Sequence, residues 1–109
     1  MNEKSGNNQL FIVSDSTGDT AERAAQAVLS QFKNRHQIEI TKFRNIKSEI
    51  QVREVIQRAV TQKAFIVYTF VSEGLRKLMN QEAGHAALPA VDLIGPLLGQ
   101  LETYLNKLP

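Results

Sequence analysis

The sequence predicts an α/β fold built on a small parallel sheet. Three observations carry this prediction. Two nearly continuous apolar runs of strand length, Leu10 to Val13 and Ala64 to Phe70, are separated by stretches of helical periodicity. Turn and cap residues mark the junctions. The runs themselves lack the in-out alternation of a half-solvated strand, as expected when helices cover both faces.

Taken in order, Leu10-Phe11-Ile12-Val13 is the first strand and Met1 to Asn8 a frayed leader. The domain is therefore placed at residues 10–109, after a flexible leader over 1–9. Ser14 to Thr20 is a cluster of turn and cap residues, followed by a helical stripe of Ala21, Ala24, Ala25, Val28, Leu29 and Phe32. Asn34 to Gln37 interrupts it. Ile38 and Ile40, extending to Lys42-Phe43, form a second strand whose alternation with Glu39 and Thr41 marks it as an edge. Ser48 with Gln51 is a capping-box pattern, and Ile46 is placed to staple it. Val52, Val55, Ile56, Ala59 and Val60 line the second helix.

Ala64 to Phe70 is the third strand. Ser72 caps a third helix with the stripe Leu75, Leu78, Met79 and Ala83, and Gly84 is expected to end it. Pro89 to Leu93 reads as a short fourth strand. Pro96 stands near the first turn of a fourth helix, where its missing N–H does no harm. Ile94, Leu97, Leu98, Leu101, Tyr104 and Leu105 line that helix, one side of which is expected to cover the sheet beside the fourth strand. Strands joined by helices pair in parallel through right-handed crossovers. With strands 1 and 3 most apolar and strand 2 most polar, the strand order is 2-1-3-4, a flavodoxin-like sheet with helices on both faces.

Bulk composition narrows the function. The chain has 109 residues, enough for one core, and no cysteine, which removes disulfides, thiolate metal sites and a cysteine nucleophile. Thirteen basic and eleven acidic residues give a net charge of +2. The basic residues, among them Arg35, Lys42, Arg44, Lys47, Arg53, Arg58 and Lys63, are scattered rather than gathered on one face, so nucleic acid is not an expected partner. No apolar run reaches the length of a membrane span, and Met1 to Gln9 has the character of neither a signal nor a transit peptide. A cytoplasmic setting is expected.

In an open parallel sheet, ligands bind beyond the carboxyl ends of the strands, where the strand order reverses. Here that is the crevice between strands 1 and 3. Ser16, Thr17, Gly18, Asp19 and Thr20 leave strand 1 at this point, with a helix N-terminus behind them that favours an anion such as phosphate. The same residue types also simply cap a helix, and Asp15, Asp19 and Glu22 would repel an anion unless a metal or a base intervened. Asp92 ends strand 4 on the same rim, either as part of the site or as the cap of the fourth helix. Ser72 and Glu73 share the rim, and Arg44 and Lys47 are the only nearby cations expected there.

Other chemistries find little support. No Gly is followed by Lys, so there is no P-loop, and no G-x-G-x-x-G is present. His36, in a polar turn, and His85, in the loop before strand 4, are the two histidines and make no metal site. Ser14 or Ser16 with His85 and Asp92 lacks a nucleophile elbow. No catalytic residue is assigned.

Two segments are more specific than caps. Phe11 to Glu22 (FIVSDSTGDTAE) and Val91 to Leu98 (VDLIGPLL) resemble two signatures of the bacterial regulatory proteins of pyruvate, phosphate dikinase and phosphoenolpyruvate synthase. Thr69-Phe70-Val71 at the third strand end also fits. The resemblance runs from about Leu10 to the C-terminus. It implies a bifunctional serine/threonine kinase and pyrophosphorylase. Such an enzyme phosphorylates a threonine of the dikinase or synthase with ADP and reverses this with inorganic phosphate, releasing pyrophosphate. The family's nucleotide-binding loop, a Gly-rich run ending in Lys-Thr, lies beyond the matching segment, and full members are more than twice this length. The resemblance therefore implies the N-terminal domain of a longer protein. No cofactor is expected on this chain alone, which is not expected to transfer phosphate from ADP by itself. A non-catalytic flavodoxin-like module that binds a protein or a small anion is the alternative. The long stripe of the fourth helix, extended by Leu108, further leads to an expected homodimer.

Overall fold

A computed structural model describes residues 8–33 and 37–109. Most of the expected leader, Arg35 and His36 lie outside the described residues. Four strands, β1 (Asn8–Ser14), β2 (Ile38–Phe43), β3 (Phe65–Thr69) and β4 (Ala90–Asp92), alternate with four helices. The helices are α1 (Asp19–Leu29), α2 (Glu49–Gln62), α3 (Glu73–His85) and α4 (Gly95–Leu105). The strands form one parallel sheet in the order β2-β1-β3-β4, as the sequence predicts. Leu10 faces Ile40 on one side and Phe65 on the other, while Tyr68 pairs with Asp92. β1 begins at Asn8, two residues before the apolar run, because Asn8 and Gln9 pair with Ile38 and Glu39. The Gln9 amide also donates to Glu39.

The two faces of the sheet are covered unequally. Phe11, Val13, Ile66 and Tyr68 point to the face packed by α2 and α3. There they join Val52, Val55, Ile56, Ala59, Leu75, Met79 and Ala83 in the buried core. Each Val, Leu, Ile, Phe or Met side chain among them contributes roughly 1.5–3 kcal/mol on burial. Leu10 and Ile12 point the other way, toward α1, and are buried as well. Among α1 residues only Ala21 is buried, and Val28 and Phe32 of the expected stripe stand exposed. Among the described residues α1 is the helix packed against β1 and β3 on this side, and its Val28 reaches past them.

Local chemistry sets the helix ends. Ser48 Oγ accepts the Gln51 N–H and Gln51 Oε1 accepts the Ser48 N–H, the predicted capping box. Ile46 stands one residue before the N′ position that a staple uses, and it joins Val52 in the core. Val60, expected on the buried stripe of α2, is half exposed.

Helix α3 does not stop at Gly84. It runs to His85, and Ala87 takes the left-handed turn at φ 56°. The Leu88 N–H reaches the Ala83 carbonyl and the Ala87 N–H the Gly84 carbonyl, a Schellman closure with Ala where Gly is usual. His85 is thus the last helical residue rather than part of the following loop.

Helix α4 departs most from expectation. Pro96 sits in its first turn as predicted, but none of its residues is buried. Leu97, Leu101, Tyr104 and Leu105 of the expected stripe are exposed, while Ile94 and Leu98 are half-buried. Among the described residues, no helix is long and apolar enough to cross a membrane.

Candidate functional site

The order β2-β1-β3 places the end of β1 at the point where connections leave in opposite directions. The loop there is built by its own side chains. Ser14 is buried, and its Oγ accepts the Ser16 N–H at 3.0 Å, which bends the chain out of the strand. Thr17 Oγ1 accepts the Asp19 N–H at 3.2 Å. Gly18, the N-cap of α1, has φ 84° and packs close to Ile12, Lys42 and Ser14. Only glycine takes that backbone angle without strain. It has no side chain to offer, so the N-cap gives α1 no side-chain hydrogen bond.

Neighbouring loops hold this one from both sides. Toward β2, the Asn45 and Ile46 N–H groups donate to the Ser16 and Ser14 carbonyls, and Lys47 Nζ donates to the Asp15 carbonyl. Toward β3, Asp15 Oδ2 accepts the Val71 N–H at 3.0 Å and the Ser72 N–H at 3.2 Å. Ser72 Oγ in turn accepts the Leu75 N–H and caps α3, as predicted. The Arg76 guanidinium donates to the Phe70 and Val71 carbonyls.

Charge on the rim is closely paired. Lys42 Nζ lies 3.0 Å from Asp19 Oδ1 and 2.9 Å from Glu22 Oε1. The hydrogen bond from Lys42 and its charge hold the Asp19 carboxyl below its ordinary range. Hydrogen bonds to Glu22 and Asp19 hold the Lys42 ammonium above its own. Lys42, the next-to-last residue of β2, was expected only as a scattered surface base. Arg76, one turn into α3, corrects the expectation that Arg44 and Lys47 are the only cations near the rim.

The structure therefore gathers Ser16, Thr17, Gly18, Asp19 and Thr20 in one turn, with Lys42, Lys47, Ser72 and Arg76 around them. Asp92 stands apart. It ends β4, two strands from β1 and so about 10 Å away across the sheet. Asp92 Oδ1 accepts the Gly95 N–H at 2.8 Å, the cap-like role that was one of its two readings. A Cβ on Gly95 would collide with that carboxylate. Burial pushes the Tyr68 phenol above its usual value, and the charge of Asp92 adds to this.

His85 ends α3, at the edge of the sheet where β4 begins and opposite the edge where Asp92 lies. Ser14 or Ser16, His85 and Asp92 are therefore not brought together. Among the described residues, no three His, Asp or Glu side chains are grouped to hold a metal ion.

Sequence reasoning missed the role of Asp15 and the presence of Arg76. Both act across chain separations of more than fifty residues or on backbone carbonyls, which no local pattern marks. One signal was available: a base in the first turn of a helix opposes the helix dipole and so suggests a local partner.

A family model described as kinase/pyrophosphorylase matches residues 10–109, which include the whole β1 loop and the β4–α4 segment. The chain belongs to the kinase/pyrophosphorylase family. Its relatives carry the name pyruvate, phosphate dikinase regulatory protein. One from Lysinibacillus sphaericus is 39% identical over 102 residues, covering 93% of this chain and 38% of the relative. One from Staphylococcus haemolyticus is 39% identical over 112 residues, covering 100% of this chain and 41% of the relative. One from Staphylococcus epidermidis is 40% identical over 101 residues, covering 93% and 37%. The chain thus spans about two fifths of the length of these kinase/pyrophosphorylase relatives.

Proposed function

We propose that this chain forms the N-terminal α/β domain of a regulator of pyruvate, phosphate dikinase or phosphoenolpyruvate synthase. The reaction implied is phosphorylation of a target serine or threonine with ADP, and its phosphate-dependent reversal with release of pyrophosphate. ADP and inorganic phosphate are the small molecules this reading requires, and the cytoplasm is the compartment that holds them and the target. Within that enzyme the turn Ser16, Thr17, Gly18, Asp19 and Thr20, with Asp92 beyond it, serves as a phosphate-binding or target-docking rim. The chain has no Gly-Lys pair, so the nucleotide-cradling loop belongs to the part of the family that this chain does not span.

The observation that carries the reading is the family match across residues 10–109, a stretch that includes the turn at the switch point of the sheet. The turn suits an anion. Gly18 gives the start of α1 no side-chain cap, hydroxyls flank it, and the acidic residues nearby are matched by Lys42, Lys47 and Arg76.

Titration of the chain with inorganic phosphate, followed by amide NMR, tests the site. Saturable shifts centred on Thr17 to Ala21 are the expected outcome. Shifts confined to another region, or none at millimolar phosphate, would leave these residues as helix-start geometry alone and overturn the site.

A further inference from the structure

Two hydroxyls lie buried side by side at the switch point. Ser14 ends β1, Thr69 ends β3, and the two are paired in register across the central strands. Ser14 is 2% exposed and Thr69 is 7% exposed. Side chains alternate along a strand. Val13 and Tyr68, the residues just before them, belong to the core packed by α2 and α3. Ser14 and Thr69 therefore point to the other face, the one that carries α1. A Cβ on Gly18 would stand 3.8 Å from Ser14 Cβ, so the N-cap of α1 lies over this end of the strands.

The chain leaves one of these hydroxyls without a partner. Ser14 Oγ accepts the Ser16 N–H and so helps to shape the loop. Among the described residues, Thr69 Oγ1 makes no hydrogen bond, not even with Ser14 beside it. Buried polar groups are nearly always hydrogen-bonded, so a hydroxyl unpaired at this depth calls for a partner from outside the fold.

We propose that Thr69 Oγ1 is a phosphate-binding group, the inner donor of a site whose outer donors are the first-turn amides of α1. The assignment rests on the rim reading above and adds to it a residue 49 positions beyond Thr20 in the chain. Amides in the first turn of a helix have no carbonyl to pair with, and Gly18 offers them no side chain. A threonine hydroxyl can turn its proton toward any acceptor within reach. Phosphate supplies several acceptor oxygens, and its charge suits the start of a helix. Lys42, the ammonium beside this turn, is held by Asp19 and Glu22, so neutral donors do the binding. Burial also limits the size of the ligand. A hydroxyl on a residue more than nine-tenths buried admits a free ion more readily than a phosphoryl group carried on a nucleotide, so the ligand is inorganic phosphate.

Inorganic phosphate titrated into the chain, with the dissociation constant read from the Thr20 and Ala21 amide shifts, tests the assignment. Thr69→Val replaces the hydroxyl with a methyl of the same shape. It should weaken binding about tenfold or more, the effect of losing one hydrogen bond to a charged ligand. Thr69→Ser restores the hydroxyl and should bind within about threefold of the parent. Without phosphate, the urea midpoint of Thr69→Val should equal or exceed that of the parent, because the group removed has no partner in the chain. No shift at Thr20 and Ala21 in the parent would remove the rim site and its inner donor together. Parent binding that Thr69→Val leaves unchanged would keep the rim and strike Thr69 from it. A serine variant as weak as the valine variant would show that shape, not the hydroxyl, matters. A lower midpoint for Thr69→Val without phosphate would show that the fold already satisfies the hydroxyl. Adenosine monophosphate shifting the same amides with equal or higher affinity would overturn free phosphate as the ligand.

Discussion

Removing the Asp15 carboxylate should loosen the seam between the two central loops. Its Oδ2 accepts the Val71 and Ser72 N–H groups at 3.0 and 3.2 Å, joining the end of β1 to the start of α3 across 56 and 57 residues of chain. Hydrogen bonds to an ionised group contribute about 1.5–3 kcal/mol each. Both bonds here share one oxygen and lie near solvent, so the lower end applies. Asp15→Ala should cost about 2–3 kcal/mol. Asp15→Asn keeps a neutral acceptor in the same place and should cost about 1 kcal/mol. In a chain of this size, 2 kcal/mol lowers the melting midpoint by roughly 8–16 °C. Urea unfolding followed by circular dichroism gives the free energies, with an unchanged slope showing that the native state stays compact. Amide exchange at Val71 and Ser72 reads the local effect. An Asp15→Ala change within 0.5 kcal/mol of the parent would refute the reasoning, as would an Asn variant as damaged as the Ala variant.

Two further predictions concern the rim and the helix ends. The Asp19 carboxyl is held below its ordinary 3.8, so its contribution is present above that pH and is lost as pH falls through the depressed value. Lys42 is held above its ordinary 10.5, so its contribution is present below that pH and is lost as pH rises through the raised value. The urea midpoints of the parent and Lys42→Met should therefore differ at neutral pH and converge at both extremes; a gap that does not change with pH would exclude the ion pairs as its source. Ala87 holds a left-handed turn at φ 56°, which costs about 1 kcal/mol for a residue with a Cβ. Ala87→Gly should raise stability by about 0.5–1 kcal/mol, and an unchanged melting midpoint would show that the turn carries no strain.

The sheet was legible because its signal is local. Leu10 to Val13 and Ala64 to Phe70 are apolar enough to be central, the polar alternation at Glu39 and Thr41 marks an edge, and Ser48, Gln51 and Ser72 announce their helices. The position of the candidate rim followed from the strand order alone. What stayed hidden depends on contacts distant in sequence. A stripe such as that of α4 shows which side of a helix is apolar, but not whether anything lies opposite it. Val28 on α1 fails in the same way. Gly84 misled because glycine favours a helix stop without requiring one, and here Ala87 takes the strained angle three residues later. Asp15 looked like one more cap residue, and its partners at Val71 and Ser72 were invisible without the fold.

The remaining difficulty for an anion at the rim was repulsion by Asp15, Asp19 and Glu22. The structure pairs two of them with one cation and holds the third with backbone N–H groups. Lys42 bridges Asp19 and Glu22, while Lys47 and Arg76 lie on either side of the Asp15 loop, bound to backbone carbonyls that leave their charges in place. Two of the three carboxylates are thus offset by Lys42, and Lys47 and Arg76 bring positive charge to the loop that carries the third. Two helix starts open on this crevice, and they are not equivalent. The amides at the start of α3 are taken by Ser72 Oγ and by the Asp15 carboxylate, which already holds the place an anion would occupy. At the start of α1 the Asp19 N–H is held by the neutral Thr17 Oγ1, and Gly18 as N-cap offers no side chain to the amides that follow. If an anion binds at the switch point, the geometry directs it to α1, because binding at α3 would require displacing a carboxylate of the chain itself.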